Sequence, residues 1–202
     1  LQDLRDRDWA PADALVKIEK LIDEKKPILI VGATGSGKTS VLSALLRSER
    51  EKMRSIILED TDEIAVPNDI SVKLLTRQTG TLHLPDYGLE TLVKQSLRMR
   101  PDRIVMGEVR GGEAKDLLLA FSTGHGGGMA TLHAENERVA LLRLEMLIQM
   151  GAPQWSLTTV RRLIQTGLST IMTVGRKNEK RQLMGISRIS SLEDSGFCLE
   201  SI

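Results

Sequence analysis

Ile28-Leu29-Ile30-Val31-Gly32-Ala33-Thr34-Gly35-Ser36-Gly37-Lys38-Thr39-Ser40 is the stretch that decides the fold. Its first four residues form an unbroken apolar run, the pattern of a strand buried on both faces of a parallel sheet. From Gly32 to Thr39 every fixed position of G-x-x-x-x-G-K-[ST] is filled. The glycines let the backbone bend so that successive N–H groups point inward at phosphate oxygens. The helix expected over Lys38 to Arg47 adds the positive end of its dipole. Lys38 is a point charge for the β- and γ-phosphates of a nucleotide, and the Thr39 hydroxyl is a ligand for Mg²⁺. The candidate nucleotide-binding residues are therefore Gly32, Ala33, Thr34, Gly35, Ser36, Gly37, Lys38, Thr39 and Ser40.

Outward from this stretch, apolar strands and amphipathic helices alternate, which is the signature of an α/β fold. Upstream, Leu15, Ile18, Leu21 and Ile22 recur at helical spacing over Ala12 to Glu24, with Pro11 near the start. Downstream, strands are expected at Ser55 to Leu58, Val72 to Leu75, Arg103 to Met106 and Met129 to Leu132. Helices are expected at Leu89 to Met99, with Leu92, Val93 and Leu97 inward, and at Glu113 to Phe121. Two more follow at Arg138 to Gln149 and at Gln154 to Gln165, the second opened by Pro153. The stripe Leu141, Leu144, Met146, Leu147 and Ile148 reads as core. The tail changes character: Ser169 to Val174, Leu183 to Ser190 and Gly196 to Ile202 read as strands, with turns at Lys177-Asn178 and Asp194-Ser195-Gly196. The expected architecture is a mostly parallel sheet with flanking helices and an antiparallel strand appendage at its C-terminal edge.

Composition agrees with a single domain. The chain has 202 residues, 41% hydrophobic and 27% charged, and a chain of this length buries about 70% of its unfolded surface. With 28 Lys+Arg against 27 Asp+Glu, the net charge is +1, which carries no bulk signal for nucleic acid or an anionic membrane. Aromatic residues make up 2%, too few for a base-stacking platform. A single cysteine, Cys198, excludes an internal disulfide and fits a reducing compartment. No apolar run reaches the length of a spanning helix, and no signal peptide is expected. The first residue is Leu1 rather than methionine, so a piece of a longer protein is expected.

Other chemistry-bearing residues fall at strand ends. Glu108 follows the strand that ends near Gly107, where a carboxylate sits beside the phosphate site. There it would bind Mg²⁺, through water, or polarise the attacking water; the bland alternative is a solvated strand end. Glu59 and Asp60 end the second strand, one as the base that orients water and the other as a metal or structural partner, against a merely solvated acidic turn. His133 follows the strand Met129 to Leu132 and would sense a γ-phosphate or a carboxylate, unless it is structural. His83 and His125 show no metal-ligand spacing. Arg77, Arg98, Arg100, Arg103 and Arg110 cluster in sequence around the acidic strand end, and nucleotide hydrolases use an arginine against transition-state charge.

Here the residues become recognisable. Leu97-Arg98-Met99-Arg100-Pro101-Asp102-Arg103-Ile104-Val105-Met106-Gly107-Glu108-Val109-Arg110-Gly111-Gly112-Glu113-Ala114 resembles the Walker B region of the type II/type IV secretion ATPases. Ser122-Thr123-Gly124-His125-Gly126-Gly127-Gly128-Met129-Ala130-Thr131-Leu132-His133-Ala134 resembles their His box, and Ile57-Leu58-Glu59-Asp60-Thr61 their Asp box. All four boxes occur in family order and cover most of Pro27 to Ala134.

The resemblance implies a RecA-like P-loop NTPase core that hydrolyses ATP with Mg²⁺ and drives a secretion, conjugation or type IV/Tad pilus machine. By match to the boxes, Lys38 and Thr39 would hold phosphate and metal. Glu59 would be the proposed base, Glu108 the Walker B glutamate and second metal-side residue, and His133 the His-box histidine. Arg77 resembles an arginine that faces the nucleotide. Residues 1–26 would be a linker and leading helix, and residues 27–202 the ATPase domain. The family's own N-terminal domain would lie outside this chain, and with it part of the adenine site and of the determinants of ring assembly. The partners implied are further copies in a hexamer and inner-membrane platform proteins. The implied location is cytoplasmic, peripheral at the inner membrane through those partners. Without a four-cysteine zinc motif, the type IV secretion, conjugation or Tad-pilus branch fits best. Three rivals remain: a nucleotide-gated binding module with little turnover, a RecA-like nucleic-acid motor, and a small-molecule kinase.

Overall fold

A computed structural model of the chain describes residues 1–48, 52–78, 85–124, 126–193 and 196–202. His83, His125 and the Asp194-Ser195 part of the last expected turn lie outside the described residues. The elements, in chain order, are α1 (Gln2–Arg5), α2 (Ala12–Asp23), β1 (Ile28–Gly32), α3 (Lys38–Arg47), β2 (Ser55–Glu59) and β3 (Val72–Leu75). They continue with α4 (Leu89–Ser96), β4 (Arg103–Met106), α5 (Glu113–Ser122), β5 (Met129–His133), α6 (Glu137–Gly151) and α7 (Leu157–Gly167). The chain closes with β6 (Thr170–Lys177), β7 (Lys180–Glu193) and β8 (Gly196–Ser201).

Among the described residues one eight-stranded sheet forms in the order β3-β2-β4-β5-β1-β6-β7-β8. The first six run parallel, while β7 and β8 are antiparallel additions. The strand–loop–helix stretch implies such a parallel α/β sheet, and the arrangement is the RecA-like one that the resemblance implies. Parallel strands need crossover helices, and those helices cover both sheet faces. Strand alternation decides which face each residue serves. Leu29 and Val31 of β1, Ile56 and Leu58 of β2, and Ile104 and Met106 of β4 pack under α4, α5, α6 and α7. Ile28, Ile30, Ile57 and Val105 point the other way, against α2, α3, Leu4 and Trp9.

Four expectations change. Leu97 sits in a 3-10 turn after α4 and is exposed, because the tighter winding rotates it off the inward face. Met146 is also exposed (66%), one residue outside the true inward stripe of Leu141, Leu144, Leu147 and Ile148. Helix α7 starts at Leu157 rather than at Gln154, since Ser156 caps it by accepting the Thr159 N–H at 3.2 Å. Such a cap stabilises by about 1 kcal/mol, which Pro153 does not match. Arg103 is buried at the start of β4, the strand end away from the phosphate loop. Its guanidinium lies 3.2 Å from the Met53 sulfur, and burial pulls its pKa down to about 10. It therefore takes no part in an arginine cluster at the acidic edge.

Candidate functional site

The phosphate loop is built by close approach. A Cβ at Gly32 would stand 2.4 Å from the Val174 carbonyl oxygen on β6, so only glycine lets the loop leave β1 there. Gly35 (φ +74°) and Gly37 (φ +95°) take left-handed conformations that turn the loop back over the sheet edge. Gly37 precedes α3, and among the described residues no side chain caps that helix. The first-turn N–H groups are left to serve an incoming ligand. Lys38 donates from Nζ to the carbonyls of Gly32 (3.0 Å) and Ala33 (3.2 Å). Burial lowers its pKa, and the neighbouring Glu108 charge opposes that. Ser36 is buried behind the loop, and its hydroxyl has no hydrogen-bond partner among the described residues. A helix N-terminus, a lysine and a hydroxyl next to it form the donor set that a polyphosphate with Mg²⁺ requires.

A cleft of about 720 Å³ opens above the loop. It draws Thr34, Lys38, Thr39 and Ser40 from the β1–α3 turn, Glu59 and Asp60 from the end of β2, Glu108 and Arg110 from beyond β4, and Thr131 and His133 from β5. Parallel strands bring these residues together because all of their C-terminal ends lie on one edge.

Glu59 is 3% exposed. Its carboxylate accepts the backbone N–H of Ile64 (3.1 Å) and of Glu63 (3.3 Å) and pairs with Lys73 at 3.4 Å. Burial raises its pKa, against those N–H groups and Lys73. Glu108 is held by Arg110, which donates from Nε at 2.7 Å and also lies 3.6 Å from Asp60. The Glu108 hydrogen bond raises the Arg110 pKa. His133 Nδ1 lies 3.3 Å from the Thr34 hydroxyl, which ties β5 to the phosphate loop. Thr131 donates to the Gly107 carbonyl at 2.6 Å, linking β5 to the end of β4.

The structure thus gathers Lys38, Thr39, Glu59, Glu108 and His133 around one space. Gly32, Ala33 and Ser36 do not line it; the Gly32 and Ala33 carbonyls are taken up by Lys38. Arg77 is not brought in. It bridges to Tyr87, stacks over that ring at 5.0 Å, and donates to the Pro85 carbonyl at 3.2 Å. Arg98 and Arg100 are exposed and line none of the cleft, whereas Arg110 does line it.

Sequence reading missed Lys73, Glu113, Arg143 and Arg181. Lys73 breaks an apolar strand, Val72–Leu75, and that interruption was its signal. Glu113 accepts the N–H groups of Arg110 (2.7 Å) and Gly111 (2.8 Å), so it fixes the loop that carries Glu108. The next glycine, Gly112, meets Gly151 at the end of α6; a Cβ on Gly151 would lie 2.4 Å from the Gly112 carbonyl. Arg143 and Arg181 reach the cleft from α6 and β7, elements that no local motif connects to it.

The chain is similar to several known proteins. The sequence profile described as "Type II/IV secretion system protein" matches residues 3–185. The probable conjugal transfer protein TrbB of Sinorhizobium fredii is 36% identical over 188 residues, covering 91% of this chain and 54% of its own length. The type IV secretion system protein VirB11 of Bartonella henselae is 34% identical over 143 residues, covering 71% of this chain and 40% of its own length. Among solved structures, the VirB11 ATPase of the Brucella suis type IV secretion system, in complex with sulphate, superposes with a TM-score of 0.79 at 26% identity. That match covers 93% of this chain and 54% of the other. The chain spans about half the length of the relatives it matches. The profile runs over nearly all of the chain, on the fold and strand-edge site described above, and the chain belongs to the type II/IV secretion system protein family.

Proposed function

We propose that the chain is an ATP-hydrolysing motor domain of a secretion, conjugation or pilus machine, acting as one copy in a ring. The observation that supports this best is the convergence of Lys38, Thr39, Glu59, Glu108 and His133 on one cleft at the strand edge. In this reading the α3 N-terminus and Lys38 bind the phosphates. Thr39 and Glu108 would hold Mg²⁺, whose chemistry there is neutralisation of phosphate charge. Glu108 gives up Arg110 to do so, and Arg110 remains beside Asp60. Glu59 accepts a proton from a water whose oxygen attacks the γ-phosphorus. The bond to the β-phosphate oxygen breaks, leaving ADP and inorganic phosphate. Burial makes Glu59 a stronger base than an ordinary carboxylate. His133 relays the state of the loop to β5 through Thr34.

The partners that fit this function are further copies of the chain in a hexamer and membrane-embedded platform proteins of the same machine, met at the cytoplasmic face of the inner membrane. No helix among the described residues is long and apolar enough to cross a membrane, so this chain would meet the membrane through those partners.

The test is Mg²⁺-dependent phosphate release from ATP over a range of protein concentration, beside Lys38→Ala and Glu108→Gln. Turnover that rises faster than linearly with protein, that Lys38→Ala abolishes and that Glu108→Gln cuts by about a hundredfold, is the expected result. ATP binding without hydrolysis at any concentration would instead make the chain a nucleotide-gated binding module.

A further inference from the structure

The tip of the β6–β7 hairpin carries a charge arrangement that the fold alone does not require. Across the antiparallel ladder Arg176 stands directly opposite Arg181, and Lys177 directly opposite Lys180. Like charges so placed repel and destabilise a sheet. The tip between them is a two-residue turn, Asn178-Glu179, with φ of 50° and 65°. A turn of this kind holds the register tightly, so the cations have no easy way apart. Glu179 is the one acid in this six-residue tip.

The two arginines lie over the phosphate loop. Arg181 donates from Nε to the Gly35 carbonyl at 3.1 Å, and Arg176 donates to the same oxygen at 3.4 Å. The Arg181 Cδ sits 3.1 Å from where a Cβ on Gly37 would stand, so its stem covers that glycine. A neutral carbonyl is a weak partner for two guanidiniums that carry five donors each. Among the described residues neither arginine forms an ion pair. Arg181 also lines two spaces at once. One is the cleft with Lys38 and Glu59. The other, of about 630 Å³, lies on the far side of the loop against Trp9, Gly37 and Ser40. A phosphate chain held at Lys38 and leaving past Ser40 would pass this arginine at its nucleoside end, in a space that Asp6, Asp8 and Glu179 also line.

We propose that Arg181, supported by Arg176, binds the non-transferred phosphates of the nucleotide from outside the phosphate loop. The cross-strand repulsion is relieved when the nucleotide's anionic charge arrives between the hairpin and the loop. Because the γ-phosphate is not its target, the hairpin reads ADP as strongly as ATP. This inference rests on the nucleotide reading given above.

The test is equilibrium titration of the chain with fluorescently labelled Mg·ADP and Mg·ATP, for the wild type, Arg181→Ala, Arg181→Lys, Arg176→Ala and Lys38→Ala. Far-UV circular dichroism checks each fold, and ³¹P NMR follows bound ADP. Arg181→Ala should weaken both nucleotides by a similar factor of about ten or more, since a lost charge-assisted hydrogen bond has that size. Arg176→Ala should weaken them less. Arg181→Lys keeps the charge and the fold but not the fork, and should move the α-phosphorus resonance of bound ADP. The proposal is overturned if Arg181→Ala binds like the wild type while Lys38→Ala loses binding, or if only ATP is weakened. It is also overturned if affinity falls with the α-phosphorus resonance unmoved, because the arginine then only braces Gly35. Wild type and Lys38→Ala behaving alike would instead sink the underlying nucleotide reading, and this proposal with it.

Discussion

The ends of β2 and β4 each deliver one glutamate to the same cleft, and the two are held in opposite ways. Glu59 is buried and tied by backbone N–H groups of Glu63 and Ile64, with Lys73 behind it. Glu108 has a side chain 29% exposed and is held by the 62% exposed Arg110. Moving Glu59 means moving the 63–64 segment. Moving Glu108 means rotating one exposed arginine, a motion of picoseconds to nanoseconds. One carboxylate is thus preset by the backbone, while the other waits on a partner that exchanges easily. In the proposed reaction, a site that activates water and admits a metal on each cycle would have use for both kinds.

Removing the preset group tests the comparison most severely. Glu59→Gln should lower the rate of phosphate release by about 10²–10⁴. Its amide oxygen still accepts the Glu63 and Ile64 N–H groups, so the unfolding free energy should move by less than about 1 kcal/mol. A Glu59→Gln chain that hydrolyses at the wild-type rate would reduce Glu59 to a loop staple. Next in size, Glu108→Gln should cost about a hundredfold in rate, as expected when a metal-side charge is lost. Its ADP affinity should survive, and equilibrium titration checks that.

Gly151→Ala touches neither carboxylate but pushes on the loop behind Glu108, through the 2.4 Å clash with the Gly112 carbonyl. Overpacking of this kind costs about 1–3 kcal/mol in denaturant unfolding, and turnover should fall with it. Gly151→Ala turnover equal to wild type would show that the loop tolerates displacement.

The acid limb of the rate profile sharpens the comparison further. Burial raises the Glu59 pKa from 4.5, so activity should fade above the usual carboxylate range as pH drops. Lys73 favours the ionised form, so Lys73→Met should move that limb to still higher pH, whereas Arg110→Ala should leave it in place. Stability runs in the opposite sense. A raised folded pKa favours the folded state below the unfolded value, and this contribution is lost as pH climbs through the folded one.

The smallest expected effect belongs to Arg110→Ala. An exposed ion pair is worth about 0–1 kcal/mol, so half-maximal activity should need up to about fivefold less Mg²⁺. A large loss of rate would instead give Arg110 a direct part in the chemistry.

Much of this was legible in the chain itself. β1, α3 and β4 need only local pattern, because a buried parallel strand is largely apolar and a phosphate loop has few permitted spellings. Lys38, Thr39, Glu59, Glu108 and His133 share one topological rule: each lies at, or just beyond, the C-terminal end of a parallel strand. Arg77 obeys a similar rule at the end of β3, yet it folds onto Tyr87 at the sheet edge. Position along a strand says which end a side chain reaches but not which way it leans. Arg103 sits at the opposite end of its strand, under Met53, which a cluster in sequence does not reveal. Met146 was lost to a helical stripe drawn one residue too wide.

The sequence by itself determined the mostly parallel sheet with flanking helices, the phosphate loop and the carboxylates that face it. Those features follow from periodicity and steric limits acting over a few residues. Only the tertiary structure decided that Lys73 sits behind Glu59, that Glu113 holds the loop bearing Glu108, and that Arg176 and Arg181 lie across Gly35. These contacts join segments far apart in the chain or depend on the direction of a single side chain. Their energies arise from burial and charge in a shared space, which no local pattern of residues encodes.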